Sequence, residues 1–291
     1  MTSASVLFDA PGRRGRLRNN LLTVASAVVL LAITVWAVLK LAEKGQLDAR
    51  VWEPFLTAEV WQGYLIPGLI GTIRAAVLGA VFALLFGAVF GIARLSDHRW
   101  IRMPAGAIVE LFRAIPLLLL IFFLWFLAPS VFGSGDYALF AIVLALTLYN
   151  GSVLAEVVRA GILAIPKGQS EAGYAIGLRK GGVMRLILLP QAITAMMPAV
   201  VSQLVVLLKD TALGYFIVYV DLLNMGFKTL PSAYPGTKLS AAVVIGIIYI
   251  AMAMALSAFA TWLERRSRRS RKTAARPVAI ATVDGGGAGG A

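Results

Sequence analysis

Charged side chains leave six stretches of about twenty residues untouched: residues 21–39, 75–93, 114–135, 137–155, 186–208 and 239–263. Within them Leu, Val, Ala and Ile follow one another without alternation. A bilayer core of about 30 Å takes about 20 apolar helical residues to cross. Only helices and closed barrels satisfy every backbone group in lipid, and barrel strands would show alternating segments of about ten residues. The pattern therefore predicts an all-α integral membrane protein with six transmembrane helices. The first stretch is longer than a signal-peptide core and is followed by Lys40, Glu43 and Lys44 with no small-residue cleavage pattern, so it is expected to be a true span.

Composition agrees. Hydrophobic residues make up 59% of the 291 and charged residues 14%, against about 25% charged in a soluble domain. The net charge of +13 lies between the apolar runs rather than over a folded surface, which argues for membrane orientation and against nucleic acid. With the N-terminus inside, nineteen Lys and Arg fall on the cytoplasmic side and six outside, so both termini are expected in the cytoplasm. There is no cysteine and one histidine, His98, in the loop SDHRW. Thiolate chemistry and any site needing two imidazoles are excluded, and no metal site is expected. The basic tract at 265–276 reads as an anchor on anionic lipid, and the Gly-rich end from Gly285 carries no chemistry.

Charges in or beside spans are costly and mark candidate sites. Glu156 and Arg159 stand three apart, as an ion pair or as solute contacts. Glu110 and Arg113 repeat that spacing before Pro116, whose missing N–H can break the helix and open backbone dipoles to a transport path. Arg74 and Lys209 border spans two and five, either snorkelling or meeting an anionic solute. Asn150 lies within span four, where a neighbouring helix is the favoured partner. Gly79, Ala83, Gly87 and Gly91 form a small-residue stripe suited to close packing against a span of the same chain. No G-x-x-x-x-G-K-[ST] phosphate loop occurs.

The segment between spans four and five is the most specific. Glu171, Ala172, Gly177, Ile187, Leu189 and Pro190 match E-A-A-x3-G-x9-I-x-L-P at every fixed position but the third, where Gly173 replaces Ala. Pro166 can start a short helix there, with Ser170-Glu171-Ala172 as a polar first turn and Gly177 as a left-handed stop. This pattern resembles the cytoplasmic coupling loop of ABC importer permeases. FRAIPLLLL at 112–120, Gly71-Thr72, and the Lys209-Asp210-Thr211-Ala212-Leu213 run are similar to the polar amino acid permeases among them, most of all to actinobacterial glutamate permeases.

That resemblance implies the type I importer permease fold and a five-helix core over 67–263 with the coupling loop at 160–190. The additional helix at 21–42, the segment 1–20 and the tail 264–291 lie outside that core. It implies that Glu171, Ala172, Gly173, Gly177, Ile187, Leu189 and Pro190 couple to an ATPase; Arg74, Glu110, Arg113, Asn150, Glu156 and Lys209, read from their charge or polarity in or beside spans, are the candidates for the solute path. The implied partners are an ATPase dimer carrying ATP and magnesium, a second permease, identical or paralogous, and an extracytoplasmic solute-binding protein, at a bacterial plasma membrane. This chain itself would hold no cofactor and hydrolyse nothing. Glutamate is the leading solute, with glutamine, aspartate or basic amino acids as alternatives. An intramembrane enzyme would need a catalytic set, and only Glu110 and Glu156 are available for one.

Overall fold

The computed structural model describes residues 12–272. The start of the N-terminal segment, the end of the basic tract and the Gly-rich end lie outside the described residues. Helices α1 (Arg13–Glu43), α2 (Ile66–Ala93), α3 (Arg99–Ala114), α4 (Leu117–Phe132), α5 (Ala138–Leu163), α6 (Lys167–Ala175), α7 (Leu189–Asp210) and α8 (Lys238–Lys272) follow in order. By length and composition, Arg13–Glu43, Ala58–Ala93, Ala138–Leu163, Lys180–Ile217 and Lys238–Trp262 can each cross a membrane. The sixth expected span falls on a bent pair: α3 and α4 meet at 100°. The expected run from 114 is thus corrected, its helix starting at Leu117. Ile115 is extended and Pro116 has no N–H to continue the ladder, so the helix of α3 ends there.

The core forms where α2, α4, α5 and α7 bury Ala75, Ala83, Ile121, Ile142, Leu146, Leu154 and Leu207 together. Close approach of α2 to α5 depends on the predicted small-residue stripe. A Cβ on Gly87 would stand 2.6 Å from the Cβ of Leu154, and one on Gly91 would stand 2.8 Å from the carbonyl oxygen of Ala155. The stripe thus packs within the chain, as expected. Helix α1 buries none of its residues, consistent with a lipid-facing addition to the core.

A second cluster caps the opposite end. Phe55, Val60 and Leu65, from the turns that lead into α2, pack with Leu222, Leu230, Ala241 and Ile245. The Ser240 hydroxyl donates to the Val51 carbonyl at 2.6 Å and ties this cap to the start of α8.

Candidate functional site

The six solute-path candidates do not converge. Arg74 lies near the start of α2 and Arg94 follows its end, twenty residues and about 30 Å of helix apart. At the Arg94 end, Glu156 of α5 gathers three arginines. Its carboxylate accepts from Arg94 Nη1 at 2.7 Å and from Arg159 Nη2 at 2.5 Å, and Arg113 Nη1 stands 4.0 Å away. Glu110 reaches Arg94 at 3.5 Å rather than its sequence neighbour Arg113. The Glu156–Arg159 ion pair therefore forms, while the spacing of Glu110 and Arg113 gives no pair. Arg94, which joins both carboxylates, carries no local sequence signal because its partners lie on other helices.

Asn150 is fully buried and committed to neighbours. Its Nδ2 donates to Asp210 Oδ2 at 3.2 Å, and its Oδ1 accepts from Gln203 Nε2 at 2.6 Å. Both partners are on α7, so the preference for a neighbouring helix holds. Lys209 is exposed and lines a cavity of about 660 Å³ with Ala212, Leu223, Tyr249, Met254 and Ser257. A cation stands here beside apolar walls and a tyrosine, a setting that can hold a carboxylate.

The segment after α7 is fastened across the start of α2. A Cβ on Gly71 would fall 1.9 Å from the Val220 carbonyl oxygen, and one on Gly68 would fall 2.9 Å from the Cα of Leu222. The Tyr219 hydroxyl donates to the Gly71 carbonyl at 2.9 Å, and the Leu222 N–H donates to Thr72 Oγ1 at 3.0 Å. Val218 enters the left-handed region at φ 59°, a strained conformation for a β-branched residue. Gly71-Thr72 is thus a seam where backbone meets backbone.

Asp221 closes this seam, capping the following turn by accepting the Asn224 N–H at 2.6 Å. It lies outside the spans yet is fully buried, and burial pushes its carboxyl up to about 7. With the folded value above the ordinary 3.8, the folded state holds its proton to higher pH than the unfolded chain. This contribution is full below about pH 4 and is lost as pH rises through about 7, with at most about 4 kcal/mol at stake. Asp221→Asn should therefore gain stability relative to the parent between pH 5 and 7.5, read as the difference in Tm in detergent. A difference that stays constant with pH would remove the assignment.

The expected coupling segment is a short exposed helix, α6, with Pro166 before it and Gly177 after it at φ 84°. The left-handed stop is as expected. The helix starts at Lys167, directly after Pro166 as expected, so Glu171 sits in its second turn rather than its first. Gly173 faces the next element: a Cβ there would stand 2.7 Å from Ile187 Cδ1 and 2.9 Å from Val183 Cγ2. The one departure from the motif thus makes room for the motif's own isoleucine. Gln191 donates to Gln169 Oε1 at 3.2 Å, and Val183–Leu188 forms a π-helical turn that enters α7 beside Leu189 and Pro190. Lys180 pairs with Asp97, joining this segment to the α2–α3 loop and holding the Asp97 carboxyl below its usual value.

A bundle of helices long and apolar enough to span, with one sharply bent pair and an exposed helix clamped to a loop, is the build of a membrane permease. The chain belongs to the family of binding-protein-dependent transport system inner membrane components, whose model matches residues 79–269. It is 41% identical over 233 residues to the glutamate transport system permease protein GluD of Corynebacterium glutamicum, covering 79% of this chain and 85% of that one. The arginine transport system permease protein ArtQ of Bacillus subtilis is 30% identical over 203 residues, covering 70% and 92%. A crystal structure of an amino acid ABC transporter superposes with a TM-score of 0.65 at 29% identity, over 73% of this chain and 98% of that one. The fold is that of type I ABC importer permeases.

Proposed function

We propose that this chain is a permease subunit of an ATP-driven importer of polar amino acids, with glutamate as solute. The observation that carries the reading is Lys209 beside the cavity between the end of α7 and α8, together with the 41% identity to a glutamate permease. An acidic amino acid has a second carboxylate for that cation to meet. A basic amino acid would be repelled by about 1 kcal/mol at 4 Å in water and by more where solvent is excluded. The cavity is open, and a second permease, identical or paralogous, closes it to complete the path.

Coupling runs through α6. A partner ATPase dimer, which binds ATP and magnesium, docks on Glu171 and Ala172, and the Gly173–Ile187 contact passes its displacement to Leu189 and Pro190 at the start of α7. A solute-binding protein delivers from the opposite face, where the cap of residues 49–65 lies. Both termini and α6 face the cytoplasm of a multi-pass bacterial plasma-membrane protein, the side favoured by the basic residues. The five-helix core carries transport, and α1 with the basic tail anchors it in lipid.

Uptake by the complex reconstituted with its ATPase and binding protein tests the solute. Labelled glutamate should accumulate with ATP, and Lys209→Gln should cut the rate about tenfold, since one lost charge contact is worth about 1.4 kcal/mol. Arginine uptake without glutamate uptake would overturn the solute, and full-rate glutamate uptake by the variant would return Lys209 to snorkelling. A chain free of cysteine also permits a clean labelling test of orientation and coupling. An impermeant thiol reagent should label Gln46→Cys in intact cells. Ser170→Cys should react only in inside-out vesicles stripped of the ATPase. Labelling of Ser170→Cys from outside would invert the orientation, and labelling undiminished by bound ATPase would remove α6 as the docking site.

A further inference from the structure

Helix α3 presents an apolar surface that the transport reading does not use, and beside it a charged one. Its inner side buries Ala105 and Val109 against the core. At 100° per residue, Met103, Ala107, Trp100, Leu111 and Pro104 fall in a separate sector of about 100°, and all five are exposed. Trp100 is 91% exposed and Met103 67%. Arg102, Arg113, Arg99 and Glu110 occupy an adjoining sector of about 80°. Together Arg99, Trp100, Met103, Pro104 and Ala107 border a groove of about 600 Å³.

The charges on this side are unevenly committed. Glu110 stands 3.5 Å from Arg94, and Arg113 approaches Glu156. Asp97, in the loop before α3, is paired with Lys180. Among the described residues neither Arg99 nor Arg102 has a carboxylate within 4 Å. The groove thus joins an exposed indole and apolar floor to two guanidinium groups that form no ion pair among the described residues, with Asp97 acting on Arg102 only beyond 4 Å.

The 100° turn into α4 sets the position of this surface. Helix α4 is apolar, exposes Leu119, Phe123 and Phe126, and runs into the bilayer. A helix nearly perpendicular to it lies along the boundary between acyl chains and water. Interfacial helices of this kind seat Trp and apolar residues among the chains and hold Arg at headgroup level, where anionic lipid attracts it.

We propose that the Arg99–Trp100–Arg102 end of α3 is a binding site for an anionic phospholipid, its phosphate held by Arg99 and Arg102 and its acyl chains lying over Trp100, Met103 and Ala107. The occupant is lipid rather than protein, because the groove combines basic groups with an apolar floor that continues along the chain into the exposed side of α4. The site rests on the membrane reading of the fold. When the termini are cytoplasmic, it belongs to the inner leaflet.

Tryptophan quenching by brominated lipid tests it on the full chain in vesicles. The chain has six tryptophans, so the difference between the parent and Trp100→Phe isolates Trp100. Brominated phosphatidylglycerol should associate at that residue at least about fivefold more strongly than brominated phosphatidylcholine. Arg99→Gln with Arg102→Gln should make the two lipids equal, while phosphatidylcholine still quenches Trp100 and so reports a folded, lipid-exposed helix. Equal quenching in the parent, a preference that survives the double substitution, or a Trp100 signal that neither lipid reaches because protein covers it would each overturn the site. Brominated lipid in both leaflets makes the result independent of orientation, which the thiol labelling reads separately.

Discussion

Gly71→Ala should lower the stability of the folded chain by about 3 kcal/mol, the upper end of what an overpacked core loses. The added Cβ would lie 1.9 Å from the Val220 carbonyl oxygen. That neighbour is backbone, so no rotamer change relieves the clash, and the segment 218–222 must lift from α2. Lifting it also breaks the Tyr219-to-Gly71 and Leu222-to-Thr72 hydrogen bonds. The change is read as a lower Tm in detergent and a smaller yield of folded protein. Gly246→Ala is the control, because a Cβ there meets nothing within 4 Å. Equal Tm for both variants would mean that the seam does not hold the segment 218–222 to the start of α2.

Glu156→Ala should cost about as much by a different route. Its side chain is 27% exposed and that of Arg94 is 13% exposed. Removing the carboxylate leaves a nearly buried guanidinium without its main counter-charge, a loss of about 3 kcal/mol. Glu110 offers only a 3.5 Å contact from an exposed position and compensates little. If the pair explains the loss, Arg94→Gln introduced with Glu156→Ala should recover about 1 kcal/mol or more, because the second change removes the stranded charge. Losses that merely add would show that Glu156 acts through its other partners.

These two sites differ in how far the sequence foretold them. Gly71-Thr72 could be picked out as a motif, but its reason could not, because Val220 is far along the chain and contacts it through main-chain atoms that carry no residue signature. The spans themselves were legible, since in lipid an uncharged run is itself the structural element. Pro116 announced the break in the third, although only the structure gives the 100° turn that lays α3 sideways. Spacing misled at Glu110 and Arg113: residues three apart on a helix can face each other, yet here α2 and α5 offer each of them another partner. The cap at 49–65 is not legible in the sequence, because Val51, Phe55 and Val60 fall at irregular intervals and show no period. Around α6, the motif located the helix and its glycine stop, while the fit of Gly173 against Ile187 needed the π-helical turn that brings the two together.

The seam at Gly71 also sets where the molecule can bend. Backbone packed on backbone admits no sliding, so the start of α2 and the segment 218–222 travel as one rigid plate. Hinges must then lie elsewhere, and among the described residues the Ile115–Pro116 break and the π-helical turn at Val183–Leu188 are two such places. One lies between α3 and α4, the other between α6 and α7. On the coupling proposed through α6, a displacement there enters α7 at its π-helical turn, and the segment that follows α7 moves together with the start of α2 as one piece.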